Sequence, residues 1–249
     1  MTVPPFGFSE NFRIRTFDID SKKSATLPAV VQLMQEAAMQ NVIDIKLSVW
    51  DLEPHKISWV LMRKNMTINR LPSLNEKIKI VTYPAGFEKF FTYRDYKVFA
   101  KNGDLLCQSS SSWLLMDIEK RRMTRIPDFI KELAKDMEEN VEIALPRPNL
   151  KLDFKFEKED YAKQFEVNYF DLDFNNHLSN VTYLKWMLEA IPSDFLLNNK
   201  IKNIDILYRA ECRLGEIVTS AVQKVEGNIF IHRLSSSEGK ELMLAKTMW

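Results

Sequence analysis

Phe12-Arg-Ile-Arg-Thr-Phe-Asp18-Ile-Asp20 recurs along the chain as Phe165-Glu-Val-Asn-Tyr-Phe-Asp171-Leu-Asp173. The offset is 165 − 12 = 153, and it runs without a gap to Glu36-Ala37, which falls on Glu189-Ala190. A second register follows: Gly103 falls on Gly239 and Trp113 on Trp249, both at 136. The drop from 153 to 136 means shorter loops in the second copy. A single short match of this kind is weak; the order of elements carries the repeat.

Each copy opens with a short extended segment and then a helix. In the first, Thr26-Leu27-Pro28 supplies a cap and a proline where its missing N–H costs little. Val30, Val31, Met34, Ala37, Ala38, Val42 and Ile45 then recur at helical spacing. In the second, Ser179 or Asn180 can cap a helix bearing Val181, Leu184, Met187, Leu188 and Ile191, stopped near Pro192. Strands follow each helix: Ile57–Ile68, Lys77–Ala85, Phe91–Ala100 and Leu105–Asp117, then Ile201–Tyr208, Ile217–Val225, Asn228–Leu234 and Glu241–Met248. Asn102-Gly103 is a hairpin turn. The expected class is α+β, a long helix wrapped by an antiparallel sheet, occurring twice. Residues 1–126 and 161–249 are the two units. Residues 127–160, rich in Lys, Glu and Asp with an amphipathic stretch from Asp128 to Met137, form a connector with a surface helix.

Composition narrows the class without naming a partner. The 249 residues are 45% hydrophobic, ample for packed cores. Lys plus Arg total 35 and Asp plus Glu 34, so net charge selects no polyanion, and nucleic acid is not expected. Two cysteines are too few for a disulfide framework and fit a reducing compartment. The N-terminus lacks the basic and apolar regions of a signal peptide, and no apolar run reaches the ~18 residues of a membrane span. The expected location is cytoplasmic.

Asp171, Asp173, Asn175 and His177 stand two apart, immediately before the second helix. On an extended backbone Asp173, Asn175 and His177 would share a face. The helix N-terminus after them offers free N–H groups and a positive dipole end, suited to an oxyanion; we place those donors near Leu178. The competing reading is that Asp and Asn here are only caps and turn formers. The repeat favours chemistry. At offset 153, Asp20 matches Asp173, but Lys22 stands at Asn175 and Ser24 at His177. Both copies must start a helix, yet only one carries Asn and His. Tyr208-Arg-Ala-Glu211-Cys212 is a second candidate: Glu211 as general base or solvated turn residue, Cys212 as nucleophile or small buried hydrophobe. His55 and His232 lack partners at metal-ligand spacing, and no glycine-rich phosphate loop occurs, so neither metal nor cofactor is expected. Lys120-Arg121-Arg122 with Arg125 is the densest basic cluster, a solvated surface or a patch for an acidic protein.

At Asp171-Leu-Asp-Phe-Asn-Asn-His-Leu-Ser-Asn-Val-Thr-Tyr-Leu-Lys-Trp186 and Tyr208-Arg-Ala-Glu-Cys212 the sequence resembles the plant and bacterial acyl-ACP thioesterases. The resemblance extends through Asn11-Phe-Arg-Ile-Arg15, Gln35-Glu-Ala37, Trp113, Arg121-Arg122 and Ile126-Pro127. It implies two tandem hotdog units forming a pseudo-dimer, acting as a monomer or homodimer. It implies hydrolysis of a fatty acyl thioester on the phosphopantetheine arm of acyl carrier protein (ACP), with Asp173, Asn175, His177 and Glu211 catalytic. It places the acyl chain mainly in the N-terminal repeat, between the helix bearing Met34 and Ala37 and the sheet bearing Trp59 and Met62. With ACP as partner, Lys120, Arg121, Arg122 and Arg125 become the docking candidates. Plant members carry a transit peptide that is not visible here, which points to a bacterial cytoplasm. The rivals are an acyl-CoA thioesterase, a hydroxyacyl dehydratase of the same fold, and a non-catalytic acyl-binding protein.

Overall fold

The computed structural model describes residues 3–88, 90–135, 144–148 and 151–249. The chain divides into two compact units, Met1–Pro148 and Asn149–Trp249.

The first unit runs β1 (Phe8–Arg13), α1 (Leu27–Asp44), α2 (Val49–Leu52), β2 (Ile57–Ile68), β3 (Lys77–Glu88), β4 (Phe91–Ala100), β5 (Leu105–Asp117), β6 (Arg122–Thr124) and α3 (Asp128–Lys135). Its antiparallel sheet is ordered β1-β3-β4-β5-β2, with β6 against β5. Helix α1 starts where the Thr26 hydroxyl accepts from Ala29 N at 3.2 Å, meeting one of the orphan donors of the first turn. Its face of Leu27, Val30, Val31, Met34 and Ala37 is buried, and it packs on β3 and β1. Each large apolar side chain removed from water there contributes roughly 1.5–3 kcal/mol. The connector helix is α3. Its Ile130 is fully buried with Leu47, Leu52, Ile57, Leu115 and Ile126, so this helix docks one face on the first unit's core. Met137, the end of the amphipathic stretch, lies outside the described residues.

The second unit runs β7 (Tyr161–Glu166), α4 (Asn180–Glu189), α5 (Ser193–Asn198), β8 (Asn203–Tyr208), β9 (Ile217–Lys224), β10 (Ile229–Ser236) and β11 (Glu241–Met248). Its sheet order is β8-β11-β10-β9-β7, again antiparallel. Of the two candidate caps, Ser179 is the one used, its hydroxyl accepting from Thr182 N at 3.1 Å. Helix α4 lies on β9 and β10 and buries Tyr183, Leu184, Trp186 and Met187. Trp186 stacks on Phe165 with ring centres 4.9 Å apart.

Both sequence registers reappear as bonds. At 136, Trp113 Nε1 donates to Ser111 Oγ at 2.9 Å and Trp249 Nε1 to Thr247 Oγ1 at 3.0 Å. Gly103 and Gly239 turn their hairpins at φ 93° and 80°, a region open to glycine because it has no Cβ. At 153, the Asp18 carboxylate accepts from Arg15 N (2.7 Å) and the Asp171 carboxylate from Asn168 N (2.9 Å). Among the described residues no helix is long and apolar enough to cross a membrane.

Candidate active site

The segment before α4 is a tight turn rather than an extended strand, which corrects the shared-face argument. Asp173 Oδ1 accepts from Asn175 N at 2.8 Å and His177 N at 3.2 Å, while Asp173 N donates to His177 O at 2.8 Å. Asn176 turns the chain at φ 59°, and Leu172 bridges Leu178. The first unit repeats every one of these features 153 residues earlier. Asp20 Oδ1 accepts from Lys22 N (2.9 Å) and Ser24 N (3.2 Å), Asp20 N donates to Ser24 O (2.8 Å), and Lys23 has φ 63°. The aspartate is therefore a turn former in both copies. Asn175 and His177 are the additions.

His177 meets Glu211. Its Nε2 lies 3.4 Å from Glu211 Oε2, with the two side chains 24% and 34% exposed, so the pair is reachable from solvent. The strand end carrying Glu211 is held on both flanks. Leu178 N donates to Cys212 O at 2.8 Å, and Tyr183 Oη donates to Ala210 O at 3.2 Å. Tyr183 packs edge-on against Tyr208, whose hydroxyl reaches Asn180 O at 3.4 Å; burial pushes both phenols above their ordinary range, so they remain donors. The Leu178 N–H is committed to Cys212 O, so among the N–H groups near Leu178 this one is not available to an oxyanion.

Cys212 is fully buried, and its thiol donates to Glu216 Oε2 at 2.8 Å. Burial, then the Glu216 bond and charge, push the thiol up to about 12. The attacking species of a cysteine is its thiolate, so this group is a poor nucleophile at neutral pH. Of the two readings left open for Cys212, the structure supports the buried one.

The fold also supplies a register that the sequence hides. Ile14 N bonds to Glu76 O as Val167 N bonds to Glu216 O, and Ala25 N to Pro72 O as Leu178 N to Cys212 O. Since 216 − 76 and 212 − 72 are both 140, Leu71 is the first-copy counterpart of Glu211. Between Asn69–Glu76 and Arg209–Glu216 only Leu74/Leu214 and Glu76/Glu216 agree, too little to find from sequence. His177 and Glu211 thus correspond to Ser24 and Leu71 of the other copy. One copy carries a His–Glu contact beside the turn; the other carries only the turn.

The remaining candidates are dispersed. The structure brings together His177 and Glu211, ties Asp173 to His177 through the backbone, and leaves Asn175 exposed on the same turn. Met34 and Ala37 are fully buried on α1. Trp59 packs against the cluster of Leu47, Leu52, Ile57 and Leu115 and donates its indole N–H to Leu47 O at 2.9 Å, while Met62 is half-buried on β2. Lys120, Arg121, Arg122 and Arg125 stand exposed around the β5–β6 turn, with Lys120 Nζ 3.4 Å from Asp117.

The acyl-ACP thioesterase N-terminal domain matches residues 5–133, and the acyl-ACP thioesterase C-terminal domain matches residues 154–249. The chain belongs to the acyl-ACP thioesterase family. It is 27% identical to a chloroplastic palmitoyl-acyl carrier protein thioesterase of Cuphea hookeriana over 100% of this chain and 66% of that one. It is 26% identical to oleoyl-acyl carrier protein thioesterase 2 of Arabidopsis thaliana over 94% of this chain and 67% of that one. The chain therefore spans about two thirds of the length of these relatives. The 12:0-ACP thioesterase from Umbellularia californica superposes with a TM-score of 0.84 at 22% identity, covering 100% of this chain and 99% of that one. An acyl-ACP thioesterase from Bacteroides thetaiotaomicron gives 0.85 at 18%, covering 98% of each. The fold is the α+β hotdog type of this family.

Proposed function

We propose that the chain hydrolyses fatty acyl-ACP to a free fatty acid and ACP, with His177 and Glu211 at the reacting atoms. The observation that carries this reading is the His177–Glu211 contact, present in one copy and replaced by Ser24 and Leu71 in the other, within a chain of this family.

A thioester carbonyl is already electrophilic, so the protein must place a nucleophile and manage one proton. Glu211, partly solvated, takes a proton from a water molecule whose oxygen attacks the carbonyl carbon. His177, fixed by the Asp173 turn and by Glu211, hydrogen-bonds the thioester. Asn175, on the crown of the turn, is placed to bind the same group. The tetrahedral intermediate collapses with cleavage of the C–S bond. The phosphopantetheine sulfur leaves as thiolate and recovers the proton held by Glu211. Asp173 orders the turn and orients His177; its direct attack on the carbonyl is the alternative tested below.

The acyl chain is assigned to the N-terminal unit, along α1 at Met34 and Ala37 and the β2 residues Trp59 and Met62. Met34 and Ala37 lie on the buried face of α1, the one that packs on the sheet. The exposed Lys120, Arg121, Arg122 and Arg125 form a cationic turn, which suits docking of an acidic carrier protein. Two free buried cysteines fit a reducing compartment, of which a bacterial cytoplasm is one.

The test is thiol release by the purified chain from one acyl group presented on ACP and on CoA. Faster turnover of the ACP form is expected. Hydrolysis of neither, or of the CoA form alone, overturns the proposal.

A further inference from the structure

The face of the N-terminal sheet beneath α1 carries two interior cations that the proposed chemistry does not use. Strand register fixes which side chains share this face. Arg94 on β4 pairs with Ser111 on β5, and Ser111 pairs with Lys64 on β2. Directly opposed residues point to the same side of a sheet. Arg94 identifies that side, because its Nη1 donates to Asn41 Oδ1 on α1 at 2.7 Å and to Thr82 Oγ1 at 3.2 Å. Lys64 is 3% exposed and Arg94 8%. Lys64 Nζ stands 4.2 Å from the ring centre of Tyr96, which is itself buried.

Among the described residues, the charge acting on Lys64 is the like charge of Arg94. Burial, then that guanidinium, push the lysine down to about 7, and burial lowers Arg94 as well. The acceptors of Arg94 are neutral. Arg94 has partial compensation from the charge of Asp95, but Lys64 meets only a second cation, and holding such a charge in an interior costs several kcal/mol. Nothing in strand pairing demands either. On the same face the adjoining row is Tyr96 and Met66 opposite Ser109, the row after it is Val98 and Ile68 opposite Cys107, and the row on the other side of the cations is Leu61 opposite Trp113. A Met or Leu at position 64 would fill the space without the penalty.

We infer that Lys64, Arg94 and Tyr96 form an interior subsite for a carboxylate carried on an aliphatic chain. The arrangement chooses the ligand: two cations side by side call for one small anion, and the aliphatic side chains farther along the face suit the chain that carries it. A nucleotide or a sugar phosphate would need donors across several rows. A guanidinium fork and an ammonium both favour carboxylate oxygens, and a fully desolvated charge-assisted bond is a strong one. The carboxylate has two sources, the far end of an ω-carboxyacyl group or the head of a free fatty acid. The first source rests on the thioesterase reading, with its acyl chain in this unit; the second does not.

Two measurements separate these. The first compares kcat/KM for acyl-ACPs of equal length ending in methyl or in carboxylate, for the unmodified chain and Lys64→Met. The second compares the thermal shifts with decanoate and with decanol for the same two chains, and its overturning result, equal shifts for the unmodified chain, needs no variant that folds. A preference of about tenfold or more for the ω-carboxyl substrate, abolished by Lys64→Met, assigns the distal end of the acyl group. Absence of that preference, with saturable stabilisation by decanoate well beyond decanol that Lys64→Met removes, assigns the free acid. Equal shifts with decanoate and decanol and no substrate preference overturn the inference, as does a preference that survives Lys64→Met. A chain that hydrolyses no acyl-ACP fails the thioesterase reading alone, and the decanoate comparison still decides the subsite.

Discussion

The duplicated turn supplies an internal control for Asp173. Asp20 and Asp173 each accept two backbone N–H bonds in the same geometry, at 2.9 and 3.2 Å and at 2.8 and 3.2 Å. Each such bond on a solvent-accessible turn contributes about 0.5–1.5 kcal/mol net. Asp20→Ala and Asp173→Ala should therefore each cost about 1–3 kcal/mol, read as a shift of the denaturant midpoint. Asparagine keeps an acceptor oxygen at the same place, so Asp20→Asn and Asp173→Asn should recover most of that loss. Activity should part company with stability. Both Asp20 variants should hydrolyse acyl-ACP at near the parental rate, because a domain stable by about 5–15 kcal/mol remains folded after such a loss. Asp173→Ala, which loosens the turn that orients His177, should lose about 100-fold in kcat, equivalent to roughly 2.7 kcal/mol of barrier. Asp173→Asn should stay near the parental rate; a comparable loss in Asp173→Asn would instead favour direct attack by the carboxylate. Near-full activity of Asp173→Ala would reduce Asp173 to the turn former that Asp20 already is. A large stability difference between Asp20→Ala and Asp173→Ala would refute the equivalence of the two turns.

Four further outcomes are expected. Cys212→Ser should keep activity within about tenfold, because a hydroxyl can still donate to Glu216; if Cys212→Ser folds but is inactive, the nucleophile reading returns. His232, fully buried with Nε2 3.0 Å from Thr247 Oγ1, is pushed down to about 3 by desolvation. The unfolded chain protonates this histidine below about 6.5, so stability is lost as pH falls from about 6.5 toward 3, by up to ~1.4 kcal/mol per pH unit. His232→Gln should flatten that part of the stability–pH curve, and an unchanged slope would contradict the assignment. Ala37→Leu should cost about 1–3 kcal/mol by overpacking and shift released fatty acids to shorter chains; unchanged product lengths in a folded variant would remove the acyl chain from this face. Arg122→Glu with Arg125→Glu should raise KM for acyl-ACP about tenfold or more and reduce its salt dependence, with kcat little changed; unaltered KM would move the docking surface elsewhere.

The repeat made the fold legible because the paired features are local. Helix caps at Thr26 and Ser179, hairpin glycines at 103 and 239, and apolar spacing each act within a few residues, so they can be read along the chain. His177 was legible as the residue by which the copies differ. Its partnership with Glu211 was not. It joins residues 34 positions apart (211 − 177), and the 140-residue register that exposes Leu71 as the counterpart is carried by backbone bonds rather than side-chain identity. The same reason hid the Glu216 acceptor that disarms Cys212, and the Leu178 N–H already used by Cys212 O. Spacing suggested an extended segment at Asp173–His177; the carboxylate instead captured two N–H groups and closed a turn, an outcome that Asp and Asn favour wherever no ladder competes.

The central claim is that Glu211, against His177, activates the hydrolytic water. The measurement that tests it most directly is single-turnover hydrolysis of acyl-ACP by Glu211→Gln, with folding verified by the unchanged thermal midpoint. Glutamine preserves size and hydrogen bonding but cannot take a proton. The rate should fall by about 10²–10⁴ while acyl-ACP affinity stays near the parental value. Hydrolysis at near the parental rate by a folded Glu211→Gln chain would contradict the account.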